Sequence, residues 1–402
     1  MKIVLYTVSF LPTIGGREIV IHYLARTLKE LGHDVRVVGP AGFLSQRKFR
    51  MGYPLHRWPT LWGLLDDRMR MAQLLLDAVI WGCDVIHAHC TYPCGYVAGR
   101  LKTFRRIPMV VTPHGEDINM IPEIGFGQRL DPLKRPKIKE ALQKADVITA
   151  ISRTVETSLM QAGAPVERIR RIPNGIDLDR FQKPVACDVP GWLQLPQDSR
   201  LILTVGNYRR CKGQESIIEA MPLVLKEDPQ ARLVVVGKGT EALKPMIATL
   251  GLEDRVRLTG RIGFPAKIIN GHGSGENQET TDWLAALYQR SQIYISGGME
   301  EGAEGLSLAV LDAMAAGCAI VATDISGNRD VIRHQKTGVL IRPADSTAMA
   351  EAIVRLLRNP DMRSRLGAGS RRVAEEFGWS RIASDYVRVY QEARECVQRG
   401  RI

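Results

Sequence analysis

Zinc-ribbon cysteine spacing is missing from this 402-residue chain: its seven cysteines, at 83, 90, 94, 187, 211, 318 and 396, form no CxxC pair. A zinc-ribbon type of domain is thereby excluded, and an odd number in a chain this long argues for reduced thiols and a cytoplasmic setting. The N-terminus lacks an A-x-A cleavage pattern. Its apolar run, MKIVLYTVSFLPTIGG, stops at Pro12 and Gly15, too short for a membrane span, and reads as a first strand. The third glycine of a dinucleotide fingerprint is also missing, since VVVGKGTE offers only a lone GxG after a strand.

What is present is a globular composition, 45% hydrophobic, in a chain too long for one ordinary core and suited to two domains of about 180 to 200 residues. The net charge of +12 is uneven, with +9 in residues 1–180 and +3 in 181–402. Such an excess suits an anionic partner without choosing between lipid, nucleic acid and a phosphorylated substrate. Strand-like runs (KIVLYTV, DVRVVGP, DVIHAHC, PMVVTPHG, DVITAIS and RIRRIPN, then LILTVGN, ARLVVVG, VRLTG, SQIYIS and CAIVAT) alternate with helical stretches such as EIVIHYLARTLKELG. That pattern predicts two doubly wound parallel α/β sheets. The proline-rich segment 181–199 reads as the linker. Residues 263–283, rich in Gly, Asn, Gln and Glu, read as an inserted loop. Two facing open sheets would hold a ligand between the carboxyl ends of their strands.

The stretch EGLSLAVLDAMAAG, residues 304–317, places Glu304 and Asp312 around a helical run ended by Gly317. A helix from Leu306 puts Asp312 about two turns in. The pair could be a dipole residue and a solvated one. As a glycosidase pair their separation, roughly 12 Å, is too large. A third reading has the N–H groups of Gly305, Leu306 and Ser307 forming an anion site with an acid on either side, the layout of a diphosphate between two polyols.

The order of motifs resembles the retaining glycosyltransferases of the GT-B fold, family four. It runs through GG at 15–16 and ELGHDVRVV, DVIHAH at 84–89, TPHGED at 112–117, PNGID at 173–177, TVGNYRRCKG at 204–213, and 304–312. The resemblance implies two Rossmann-like domains, 1–183 and 184–378, with an interdomain cleft and a C-terminal helix, 379–402, packed back on the first. It further implies hexosyl transfer from a nucleotide diphosphate sugar, a UDP- or GDP-sugar, to a sugar or lipid-linked acceptor, with retention at the anomeric carbon and no metal or other cofactor. Glu304 would face the donor sugar's hydroxyls, Gly305, Leu306 and Ser307 the sugar and phosphates, and Asp312 the ribose. Lys212 would stabilise the leaving diphosphate. Gly15 and Gly16 would let backbone approach the phosphate, although a plain tight turn reads equally well. His114 would lie beside the transferred sugar, where the residues alone also allow a structural histidine, and Asp117 would touch the acceptor. The family's arginine after Gly206 is replaced by Asn207, so Arg209 or Arg210 would reach in instead. The DLD of 177–179 looks like a metal-binding DxD and is read as a decoy.

A nucleotide-sugar epimerase, an NAD-linked oxidoreductase and a non-catalytic nucleotide-sugar binder remain alternatives with related sheets. Residues 43–70 mix Arg47, Lys48, Arg50, Arg57, Arg68 and Arg70 with Phe49, Trp58 and Trp62. They suit either a solvated loop or a dock for an anionic membrane at the inner leaflet, and match no nucleic-acid module.

Overall fold

In the computed structural model, the described residues are 1–11, 13–41, 51–59, 67–263, 281–299 and 305–400. They form two compact units. The first takes Met1–Gly175 and returns at Trp379; the second runs from Ile176 to Gly378.

The first unit holds a seven-stranded sheet in the order β3-β2-β1-β4-β5-β6-β7. Its strands are β1 (Lys2–Tyr6), β2 (Asp34–Ala41), β3 (Leu55–Pro59), β4 (Val85–Ala88), β5 (Met109–Val111), β6 (Val147–Ala150) and β7 (Ile169–Arg171). All pairings are parallel. The central strands are apolar on both faces because helices cover both, so KIVLY and VITA read as unbroken runs rather than alternations. β3 is an edge strand in a stretch that reads from sequence as loop. It carries Arg57 and Trp58, while 42–50 and 60–66, with Arg47, Lys48, Phe49, Arg50 and Trp62, lie outside the described residues.

The helix Trp379–Gln398 completes this unit. Trp379, Tyr386 and Tyr390 are buried, and Trp379 stacks on Tyr23 with ring centroids 5.9 Å apart. Gly175 of the PNGID motif lies under the same indole, where a Cβ would come within 2.5 Å of a ring carbon. No side chain larger than hydrogen fits.

The second unit repeats the plan with six parallel strands in the order β10-β9-β8-β11-β12-β13. They are β8 (Arg200–Val205), β9 (Ala231–Val236), β10 (Val256–Gly260), β11 (Ile293–Ser296), β12 (Ala319–Thr323) and β13 (Val339–Ile341). Residues 176–183, assigned from sequence to the first domain, pack here instead. Phe181 is buried against the ring of Tyr288, and Arg180 makes a two-pronged ion pair with Asp282. In both sheets strand order reverses between the first strand and its neighbour, β1/β4 and β8/β11. Such a reversal opens a crevice at the carboxyl ends of the strands. Of the insertion read at 263–283, residues 264–280 lie outside the described residues.

Candidate active site

At the reversal point of the second sheet, β8 runs into the turn Gly206–Gly213 and β11 into Gly297–Met299. The two turns press together: the Met299 amide donates to the Cys211 carbonyl at 2.9 Å. A Cβ on Gly213, which has φ +64°, would come 1.9 Å from the Gly297 carbonyl oxygen. Gln214 donates to the Gly206 carbonyl at 2.9 Å. The recess between these turns is lined by Thr204, Gly206, Lys212, Gly297, Gly298 and Ser307, among others. Burial pulls the Lys212 ammonium down to about 8; a nearby Cys211 pulls it up and Arg209 pushes it down further. A desolvated ammonium favours an anion brought to it.

Asn207, where the family carries arginine, has a structural use here. Its side-chain oxygen accepts from the Lys238 amide at 3.0 Å and ties the turn to the GKG loop after β9. The two candidate replacements differ. Arg209 is exposed and its charge is felt by Lys212, whereas the charge of Arg210 is felt by Tyr208, whose hydroxyl donates to Glu215 at 2.7 Å.

The helix after β11 begins later than the sequence suggested. Ser307 occupies the N-cap in an extended conformation and the helix spans Leu308–Ala316, ending on Gly317 at φ +77°. Gly305 and Leu306 therefore belong to the approach loop, and Asp312 lies little more than one turn in, not two. Glu304 lies outside the described residues. Asp312 keeps a partly exposed surface. Burial nevertheless raises its carboxyl to about 8, against the pull of Arg180 and with Asp282 and Asp177 adding to the rise. Its charge is felt by Tyr294, which lines the recess. Asp177 and Asp179 are employed locally: Asp177 caps the helix Leu178–Gln182, and Asp179 pairs with Lys183 at 2.8 Å on the surface.

In the first unit, a second group of polar residues gathers at the β1/β4 reversal. Gly15 precedes the first helix, Gly16–Glu30, and has ordinary extended angles; a Cβ there would meet a Glu18 carboxylate oxygen at 2.5 Å. Ser9 donates to Glu18, and Arg17 donates to Ser9 Oγ at 2.5 Å. Beyond β4 and β5, His89 Nδ1 and His114 Nε2 lie 3.2 Å apart. Burial drives both imidazoles well below their ordinary range, and the nearby charge of Arg17 lowers them further. Asp117, expected at the acceptor, is buried instead. Its two oxygens accept from the amides of Thr91 at 2.7 Å and His114 at 2.8 Å, so it holds the loop that presents His114. Arg17 and His89 escaped the sequence reading. A signal existed, because HAH at 87–89 places two imidazoles on one face of a strand.

The Glycosyltransferase Family 4 pattern matches residues 14–180, and the Glycosyl transferases group 1 pattern matches residues 199–359. The chain belongs to the group 1, family 4 glycosyltransferases. An N-acetyl-alpha-D-glucosaminyl L-malate synthase of Bacillus anthracis is 23% identical, with 97% of each chain covered. A GDP-mannose-dependent alpha-(1-6)-phosphatidylinositol monomannoside mannosyltransferase of Mycobacterium tuberculosis is 24% identical over 98% of this chain and 100% of that protein. Anabaena HepE, solved with UDP and glucose, superposes with a TM-score of 0.76 at 19% identity, over 97% of this chain and 100% of its own. The two-sheet architecture of this glycosyltransferase is thus the GT-B fold.

Proposed function

We propose that this glycosyltransferase moves a hexosyl group from a UDP- or GDP-sugar to an acceptor hydroxyl with retention at the anomeric carbon and without a bound metal. The observation that carries the reading is Lys212, an ammonium held at about 8 beside the glycine-lined recess of the second unit. A diphosphate seated there would meet the desolvated ammonium, and the charge that grows on it as the sugar departs is stabilised at no cost in reorganisation. Ser307 adds the free N–H groups of a helix N-terminus. By the family resemblance, the first unit's His114 would serve the transferred sugar, and its Gly15 and Gly16 the phosphates. Retention fits a front-face reaction, in which the departing phosphate takes the acceptor's proton, so the protein's work is positioning.

The relatives support the class and differ in donor and acceptor. One name specifies GDP-mannose, one solved complex contains UDP, and the names mention L-malate in one case and a phosphatidylinositol monomannoside in the other. A thermal-shift panel of UDP, GDP, ADP and TDP tests the donor site, because a ligand at 100 times its Kd adds about 2.7 kcal/mol. One base is expected to stand out; no response to any would sink the reading. NMR of the product's anomeric coupling then tests retention.

For the acceptor we favour a membrane-proximal molecule reached by docking of residues 43–70 on anionic lipid. Vesicle co-sedimentation at about 50 and 500 mM salt checks this, since screening lengths shrink from roughly 14 to 4 Å. Binding that fades with salt and with loss of Arg47, Lys48 and Arg50 is expected. No binding at low salt would point to a soluble acceptor.

A further inference from the structure

The His89–His114 contact fixes more than distance. Both rings are held neutral, so one of the two facing nitrogens carries the shared proton and the other accepts it. The far nitrogen of His89 decides between the two arrangements. His89 is fully buried, and among the described residues its Nε2 has no hydrogen-bond partner. Were His114 Nε2 the donor, His89 would accept at Nδ1 and carry its own proton on Nε2, leaving a buried N–H orphaned. With His89 Nδ1–H donating, the orphan is a lone pair instead. Orphaned buried N–H groups are the rarer and costlier case.

We infer that His89 is a positioning residue: it donates from Nδ1 to His114 Nε2 and thereby places the single proton of His114 on Nδ1. His114 then meets its substrate as a hydrogen-bond donor through Nδ1–H and has no free lone pair with which to act as a base. The role toward substrate rests on the proposed glycosyl transfer; the proton placement does not.

The surroundings hold the His89 ring in this pose. His87 lies against it with ring centroids 4.0 Å apart. His87 is itself pinned at both nitrogens, by the Tyr390 hydroxyl at 2.8 Å and by Thr112 Oγ1 at 2.6 Å. The C-terminal helix, through Tyr390, thus reaches the histidine pair by way of a single intervening ring.

Histidine ring-nitrogen NMR on the 15N-labelled full chain tests the assignment without any substrate. The expected result is a protonated Nδ1 and a bare Nε2 on both His89 and His114. A protonated Nε2 on His114 would overturn it. Kinetics tests the consequence. His89→Asn can place an amide N–H where Nδ1–H stood, whereas His89→Ala cannot. The alanine variant should lose about tenfold or more in kcat with the donor's Kd unchanged, and the asparagine variant should recover most of that loss. Equal damage in both variants, or none in alanine, would reduce His89 to packing and refute the inference. Failure to find any sugar donor would refute the proposed function, yet the spectrum would still report where the proton sits.

Discussion

Lys212 is one residue at which sequence and structure agree on chemistry. A lysine in a glycine-bounded turn after an apolar strand was legible because the turn residues are local. Its lowered pKa was not, since the desolvation comes from β8 and β11, about ninety positions apart. Lys212→Ala is expected to lower kcat a hundredfold or more, roughly 3 kcal/mol, by removing a charge aimed at the leaving group. Because Arg209 and not Arg210 acts on Lys212, Arg209→Ala should be clearly the more damaging of the two arginine variants; steady-state rates will show whether it is. The ammonium also sets a pH dependence. A lysine lowered from 10.5 to about 8 in the folded chain binds fewer protons than the unfolded chain between those values. Stability without ligand should therefore rise with pH from about 8 to 10.5, and Lys212→Met should flatten that rise in thermal melts. Diphosphate binding reverses the shift, so calorimetry near pH 8 in two buffers should register proton uptake.

At the scale of elements, the alternation of strands and helices was readable because central parallel strands are apolar runs. Two edges were not. β3, with LHRWP, looks like a loop, and β13 has only three residues; both are strands because a neighbour supplies the hydrogen bonds. The candidate site was half legible for a related reason. Glycines announce turns, but which turns touch depends on the sheet. The contact between Gly213 and Gly297 gives a clean comparison. Gly213 and Gly251 share the same φ of +64°, yet a Cβ at Gly251 meets nothing within 4 Å. Gly251→Ala should cost about 1 kcal/mol of backbone strain. Gly213→Ala should cost about 3 kcal/mol, because displacement of the Gly297 turn is added to the same strain. Denaturant melts of the pair measure the difference, and nucleotide binding should suffer only in the Gly213 variant.

Across the whole molecule, the first unit is built from two separated stretches of chain. Trp379, Tyr386 and Tyr390 are buried in it, and losing even one large aromatic from a core costs about 3 to 5 kcal/mol. Ending the chain at Gly378 should therefore abolish cooperative melting of the first unit while the second still unfolds as a unit. Circular dichroism and limited proteolysis would reveal this as loss of one transition; two intact transitions would mean that the helix is dispensable.

The same interrupted layout bears on birth order. During synthesis the second unit is complete once Gly378 has left the ribosome, but the first still waits for Trp379–Gln398. The usual order, in which the N-terminal domain of a nascent chain folds ahead of the C-terminal one, is inverted. For as long as it takes to translate some two hundred codons, the open face of the β4–β6 region, with His87 and Thr112 unpartnered by the helix, stays exposed. That interval is when a chaperone would be needed, and a pause placed late in the message would prolong it.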